Sequence, residues 1–244
     1  MNRIVLVLIF LLGIVSAVVS LANHTVHGGT SDTTILSVHS VPCFQDTELQ
    51  ESIATLKQQG GAEIARVSEA LLTKARTTDE CRTQLVQTLL SSMAQATDPK
   101  GNEYANFFLW MHSASMLAAL EATEALDLLI ANIDFTDGWA AKLSESHFPA
   151  LAAILKMGQP AIPKLQVALN NDTNPHKRQL AVLCIAYIGG SQARAALEGA
   201  LPRETDPCLK RFLQVSLQAY NNKDTPNHIS PALNDKWLVA FHCN

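Results

Sequence analysis

Asp172-Thr-Asn-Pro175-His-Lys-Arg178 recurs 32 residues further on as Glu204-Thr-Asp-Pro207-Cys-Leu-Lys210, and Leu165 and Leu169 recur at the same spacing as Leu197 and Leu201. A fixed period of this size, built from two helical stretches per unit, is the sequence signature of an α-solenoid. The repetition runs from about Phe148 to Tyr220. It predicts an all-α fold, a superhelix of antiparallel helix pairs in which each unit covers the apolar face of the one before it. Such a stack offers an extended surface for binding other molecules, but a repeat does not name what is bound.

Outward from this segment, helices are predicted from apolar spacing and from breakers. The first pair spans 46–59 and 62–74, with Leu49, Ile53 and Leu56 on one stripe and Ile64, Val67 and Leu71 on the facing one. Gly60-Gly61 and Gly189-Gly190 each separate two helices, and glycine enters the left-handed region there without steric cost. Further helices are expected at 78–96, 103–120 and 123–133, interrupted by Asp98-Pro99-Lys100-Gly101-Asn102 and followed by an irregular connection, 134–146, that contains Gly138 and Trp139. The stretch with Phe107, Phe108, Trp110 and Met111 is the most aromatic of the chain and reads as a packing layer rather than a ligand groove. The last helices fall at 148–157, 160–170, 175–188, 191–201 and 207–220, and no strand-like alternation of useful length appears.

Leu151-Ala-Ala-Ile-Leu-Lys-Met-Gly-Gln-Pro-Ala-Ile-Pro-Lys-Leu165 and Gln179-Leu-Ala-Val-Leu-Cys-Ile-Ala-Tyr-Ile-Gly-Gly190 give the chain a family likeness. It resembles HEAT repeats, and more closely the short HEAT-like repeats named after phycobilisome lyases. The likeness is strong over 148–220 and partial over 45–133. It implies a fold and not an activity. Within that fold Asp172 is expected to accept backbone amides at a helix N-terminus. Arg178 and Lys210 are expected to reach neighbouring turns, with Glu204 completing a charged ladder between units. Lys177-Arg178 and Lys210-Arg211 place four cations at matching positions, so an anionic partner on that rim is the competing reading.

The chain of 244 residues is 48% hydrophobic and 16% charged, which places it among ordered proteins with a real core. Met1-Asn2-Arg3 followed by an apolar run from Ile4 to Val19 has the layout of a secretory signal, 1–22, cut after Ala22. An uncleaved membrane anchor competes, because the run approaches the ~20 residues a spanning helix needs. Residues 23–44 then form a flexible linker, 45–222 the HEAT-like solenoid and 223–244 a capping tail whose Trp237-Leu-Val-Ala-Phe241 covers the end of the stack. A secreted or periplasmic location lets the five cysteines pair. The expected bridges are Cys43–Cys81 and Cys208–Cys243, with Cys184 a buried thiol on an apolar helix face; spacing alone leaves other pairings open. Cys81 and Cys208 sit in a shared register, Thr78-Asp79-x-Cys81 against Thr205-Asp206-x-Cys208.

A formal charge of −4 supplies no basic excess for phosphates, so nucleic acid is not expected as a partner, and a membrane is one only if the N-terminal segment stays uncleaved. HEAT-like di-iron hydroxylases carry His-Glu pairs, whereas none of the eight histidines here is followed by Glu. No zinc-protease, phosphate-loop or nucleophile-elbow motif is present, and no cofactor or metal is expected; bilin attachment has no support beyond the repeats. His24-x-x-His27 is a weak metal site, while His112, Glu121 and His147 read as isolated structural residues. Asn23 and Asn171 begin glycosylation tripeptides, meaningful in a eukaryotic secretory route. The leading expectation is a non-catalytic exported scaffold that holds an unidentified protein or peptide. The alternatives are an enzyme or enzyme subunit with its site at 134–147 or shared with a partner, and a membrane-held spacer.

Overall fold

The computed structural model describes residues 43–96, 103–136 and 147–222. The stretch up to residue 42 expected to hold a signal and a linker, the break expected at 97–102, Gly138 and Trp139, and the tail with Cys243 lie outside the described residues. Among those described there are ten α-helices and no strand, so the fold is all-α. They are α1 (Asp46–Leu56), α2 (Ala62–Ala75), α3 (Asp79–Gln95), α4 (Glu103–Ala119), α5 (Leu126–Ala131), α6 (Pro149–Met157), α7 (Ile162–Asn171), α8 (Pro175–Ile188), α9 (Gly190–Ala200) and α10 (Pro207–Asn222).

The helix starts follow from local chemistry. Asn174 caps α8, its side-chain oxygen accepting the amides of His176 and Lys177 at 2.9 and 3.5 Å, and Pro175 occupies the first turn, where its missing donor costs nothing. One residue pair earlier the Asp172 carboxylate accepts the Asn174 amide at 2.8 Å. Asp172 therefore accepts one backbone amide at the N-terminus of α8, that of the cap residue, while the capping itself falls to Asn174. The turn before α10 repeats the device: Glu204 accepts the Asp206 amide at 2.8 Å, and Asp206 accepts that of Leu209 at 2.8 Å. Thr78 caps α3 by accepting the Cys81 amide at 3.2 Å.

Some ends differ from the apolar pattern. Helix α1 stops at Leu56, its last buried residue, because Lys57 to Gly60 are all exposed and gain nothing by continuing the helix. The stretch expected as one helix over 123–133 is a 3₁₀ turn, Thr123–Ala125, followed by the short α5. The two glycine pairs also differ. Gly189 and Gly190 both take positive φ, 72° and 82°, at the α8–α9 reversal, and the Gln159 amide donates to the Gly189 carbonyl at 2.7 Å. A Cβ at Gly190 would meet that amide nitrogen at 3.0 Å, so both backbone and space call for glycine. At the other pair Gly61 alone has positive φ, and it sits at the start of α2, away from the end of α1.

Helices α1, α2 and α3 pack on one another and on α4; α4 packs on α6, and α6 on α5 and α8. Helices α7, α8 and α9 pack mutually, α5 lies against α7, and α10 covers α8 and α9. The apolar residues thus enclosed form one cluster running from Phe44 to Leu213. Helix α8 is buried nearly all round, from Gln179 to Ala186 and again at Ile188, rather than along the single stripe its sequence suggested. Cys184 lies inside that wall as a fully buried thiol outside any disulfide. In α4, Phe107 and Trp110 are buried, and Phe135 packs on both rings at 6.5 and 4.9 Å between centroids.

The chain enters this body through a fastening at Cys43. A disulfide joins Cys43 to Cys81 with 5.2 Å between their Cα atoms, and such bonds persist in an oxidising compartment. Beside it Gln84 holds the main chain of Phe44 with both ends of its amide: its oxygen accepts the Phe44 N–H and its nitrogen donates to the Phe44 carbonyl, each at 2.9 Å. The Phe44 ring is fully buried, with the Lys74 ammonium 4.7 Å from its centroid. Cys208 is disulfide-bonded as well, while Cys243, its expected partner, lies outside the described residues. The shared register of Cys81 and Cys208 does not hold, since Cys81 is the third residue of α3 and Cys208 the second of α10.

Candidate functional site

The charged residues singled out from the repeat divide by environment. The Arg178 guanidinium bonds to the Glu204 carboxylate, which is 2% exposed, and donates from Nε to the Leu169 carbonyl at 2.8 Å. Asp172 is engaged with its own turn, and Lys210 is exposed with no carboxylate near its ammonium among the described residues. The four ladder candidates thus reduce to one cross-turn pair. Lys177 reaches the Ala131 carbonyl and lies 3.5 Å from Asp134.

A second guanidinium uses the same device without having been singled out. Arg82, fourth residue of α3 as Arg178 is of α8, bonds to the Glu124 carboxylate at 2.6 Å and to the Leu120 carbonyl at 3.4 Å. Arg76 adds a bond to the Ala119 carbonyl at 3.3 Å. Helix C-termini leave carbonyls without intrahelical donors and carry partial negative charge, so cations placed there satisfy both demands. The Arg82 partners lie 42 and 38 positions away, and nothing in the local sequence announces them. These cations bind the protein to itself and do not form an anion site.

The isolated candidates of the sequence sit in three different settings. His112 sits half-buried in α4; burial lowers its pKa, against a smaller opposing effect from a hydrogen bond with the Gln58 backbone. Glu121 is exposed and lies beyond α4, not on it, with φ 50°. There the Ala122 amide bonds to the Leu117 carbonyl at 3.0 Å and the Glu121 amide to that of Ala118 at 3.1 Å, a Schellman end with Glu where glycine is favoured. His147 opens the segment before α6, and most of the 134–147 connection lies outside the described residues. Among the described residues no group of three His, Cys, Asp or Glu is placed to hold a metal ion, and no helix is long and apolar enough to cross a membrane.

A groove of about 590 Å³ lies between α1, α3 and the start of α4. Ile53 and Leu109 form its apolar floor. Its walls are amides and hydroxyls: Gln50 from α1, Gln87, Ser91 and Gln95 from α3, and Asn106 from α4. Among the described residues Lys57 supplies the charge, and no carboxylate and no aromatic ring line the space. Residues 50 and 53 share one face of α1, Lys57 follows at its C-terminal end, and 87, 91 and 95 share one face of α3, so the walls follow from helical periodicity. Sequence reading missed them because polar residues at these spacings look like ordinary solvated faces. The arrangement can form neutral hydrogen bonds in both directions.

Compared with known proteins, the chain matches no protein-family model, no curated protein and no solved structure.

Proposed function

We propose that the chain is an exported, non-catalytic interaction module, a HEAT-like α-solenoid that holds a protein or peptide partner. The observation that carries the reading is the α1–α3–α4 groove, open, ligand-sized and lined by hydrogen-bonding groups without reactive ones. The solenoid reading draws on the packing order, in which the principal contacts join helices no more than three apart in sequence. The turn chemistry shared by Asp172-Asn174 and Glu204-Asp206 supports a repeat unit, and with it the family likeness. Export rests on the apolar run near the N-terminus and agrees with the Cys43–Cys81 bond. The secreted or periplasmic chain, released after Ala22 or held by an uncleaved anchor, meets its partner outside the cytoplasm.

Affinity capture with the full chain from native envelope or culture medium tests this. A partner that purifies with the chain at fixed stoichiometry and rebinds when both are pure is the expected result. Reproducible substrate turnover by the pure chain alone would overturn the reading.

A further inference from the structure

We propose that the α1–α3–α4 groove binds the main chain of an extended peptide about four residues long, with an acidic group of that peptide against Lys57. The inference rests on the interaction-module reading and adds to it the chemistry of the partner.

Helix α3 already shows how it holds a main chain. Gln84 grips the N–H and C=O of Phe44 through both atoms of its amide, at 2.9 Å each. Along the same helix face the stripe continues through Thr88, Ser91 and Gln95, spaced by four, three and four residues from Gln84, with Gln87 at its edge. Beyond Gln84 these side chains line the groove. Gln50, Gln87 and Asn106 also line the groove and make no side-chain hydrogen bond with the described residues.

Three features select a peptide over other ligands. A polypeptide backbone offers alternating donors and acceptors, which amide and hydroxyl groups match in either sense. A sugar ring would gain most from a flat aromatic face, and none lines the groove among the described residues. A divalent cation would need carboxylates and a polyphosphate several cations, whereas among the described residues the lining has no carboxylate and one lysine. Length follows from helix geometry. From Gln87 to Gln95 the wall runs about 12 Å at 1.5 Å per residue, which an extended chain covers in about four residues. Lys57 follows directly on Leu56, the last residue of α1, exposed and without a carboxylate partner among the described residues. An acidic side chain or a free C-terminus is the complement that position admits.

The test uses the ¹⁵N-labelled full chain and an array of acetylated tetrapeptides, each made with a free C-terminal carboxylate and as the C-terminal amide. Peptides bearing an acid at one end are expected to shift the side-chain amide resonances of Gln50, Gln87 and Gln95. Lys57→Met is expected to weaken those peptides about fivefold, in line with an exposed ion pair, and to leave uncharged amides unchanged. The pair Gln87→Ala with Gln95→Ala is expected to weaken both classes at least tenfold, and all three positions are exposed, so the variants keep the wild-type melting temperature. Groove resonances that respond to maltotriose and to no peptide, or an acid preference that survives Lys57→Met, would overturn the inference. A partner captured equally by the wild type and by the Gln87/Gln95 variant would also overturn it while leaving the interaction-module reading in place. Tetrapeptide binding without any captured partner would do the reverse.

Discussion

Arg178 and Glu204 form a guanidinium–carboxylate pair across two turns, and the same guanidinium closes the end of α7 through the Leu169 carbonyl. Glu204 spends its other oxygen on the Asp206 amide, so this nearly buried carboxylate is fully engaged. Its burial is tolerable because both oxygens have donors; an unpaired carboxylate there would carry its desolvation cost alone.

Arg178→Ala is therefore expected to destabilise the chain by about 3 kcal/mol, the low end for removing one partner of a buried pair. Adding Glu204→Leu to that variant should recover part of the loss, since no charge is then stranded. Urea unfolding of the single and double variants measures the coupling; additive losses would show that the two residues act independently.

The Cys43–Cys81 bond closes a loop with a sequence separation of 38. Loop-closure entropy assigns such a bridge about 4 kcal/mol, acting mainly on the unfolded chain. Replacing both cysteines by serine is expected to lower stability by nearly that amount, read by urea denaturation under non-reducing conditions. Hydrogen exchange should then rise in α1 and α2 before it rises in α8, whose walls are buried on nearly all sides.

Glu121 occupies a left-handed position that costs a non-glycine residue about 1 kcal/mol. Glu121→Gly relieves that strain and adds back some unfolded-state entropy, so a net gain of about 0.5 kcal/mol is expected. A rise in melting temperature of roughly one to two degrees checks it, while a fall would mean that the carboxylate itself contributes.

Acid sensitivity has two sources with separate windows. Burial holds the folded-state pKa of His112 below its ordinary value of about 6.5, so the unfolded chain binds more protons as pH drops under that value, and stability falls with it until the folded-state pKa is passed. Glu124 is lowered chiefly by its hydrogen bonds with Arg82, so its contribution is present above the ordinary carboxylate range and lost as pH falls through the lowered value. His112→Gln should flatten the upper part of the stability profile, below about pH 6.5, and leave the lower part intact. A profile unchanged by that substitution would locate the upper titration elsewhere.

The segment around Asp172 and Glu204 was legible because its chemistry is local. Acid, capping residue and proline stand within four positions of each other, and the bounds 175–188 expected for α8 are those observed. Helix α1 was overrun because Lys57-Gln58-Gln59 have good helical propensity, and what ends the helix is the lack of anything to bury. The end of α4 was missed for the opposite reason: Glu121 does glycine's work, held by carbonyls in its own turn while Arg76 and Arg82 come from far upstream. Of the candidate site, none was legible in advance. The groove is assembled from the polar faces of three helices, and the meeting of Gln50, Gln95 and Asn106 is a tertiary fact that no window of sequence contains.

The fastening of residues 43 and 44 onto α3 decides where tension enters the molecule. A pull delivered along the backbone from before Cys43 crosses the sulfur bridge into Cys81, and the whole span of α1 and α2 is bypassed. Those two helices sit in a mechanically slack loop, so a tethered chain would bear load from α3 onward and keep its first helix pair folded under strain that would otherwise peel it away.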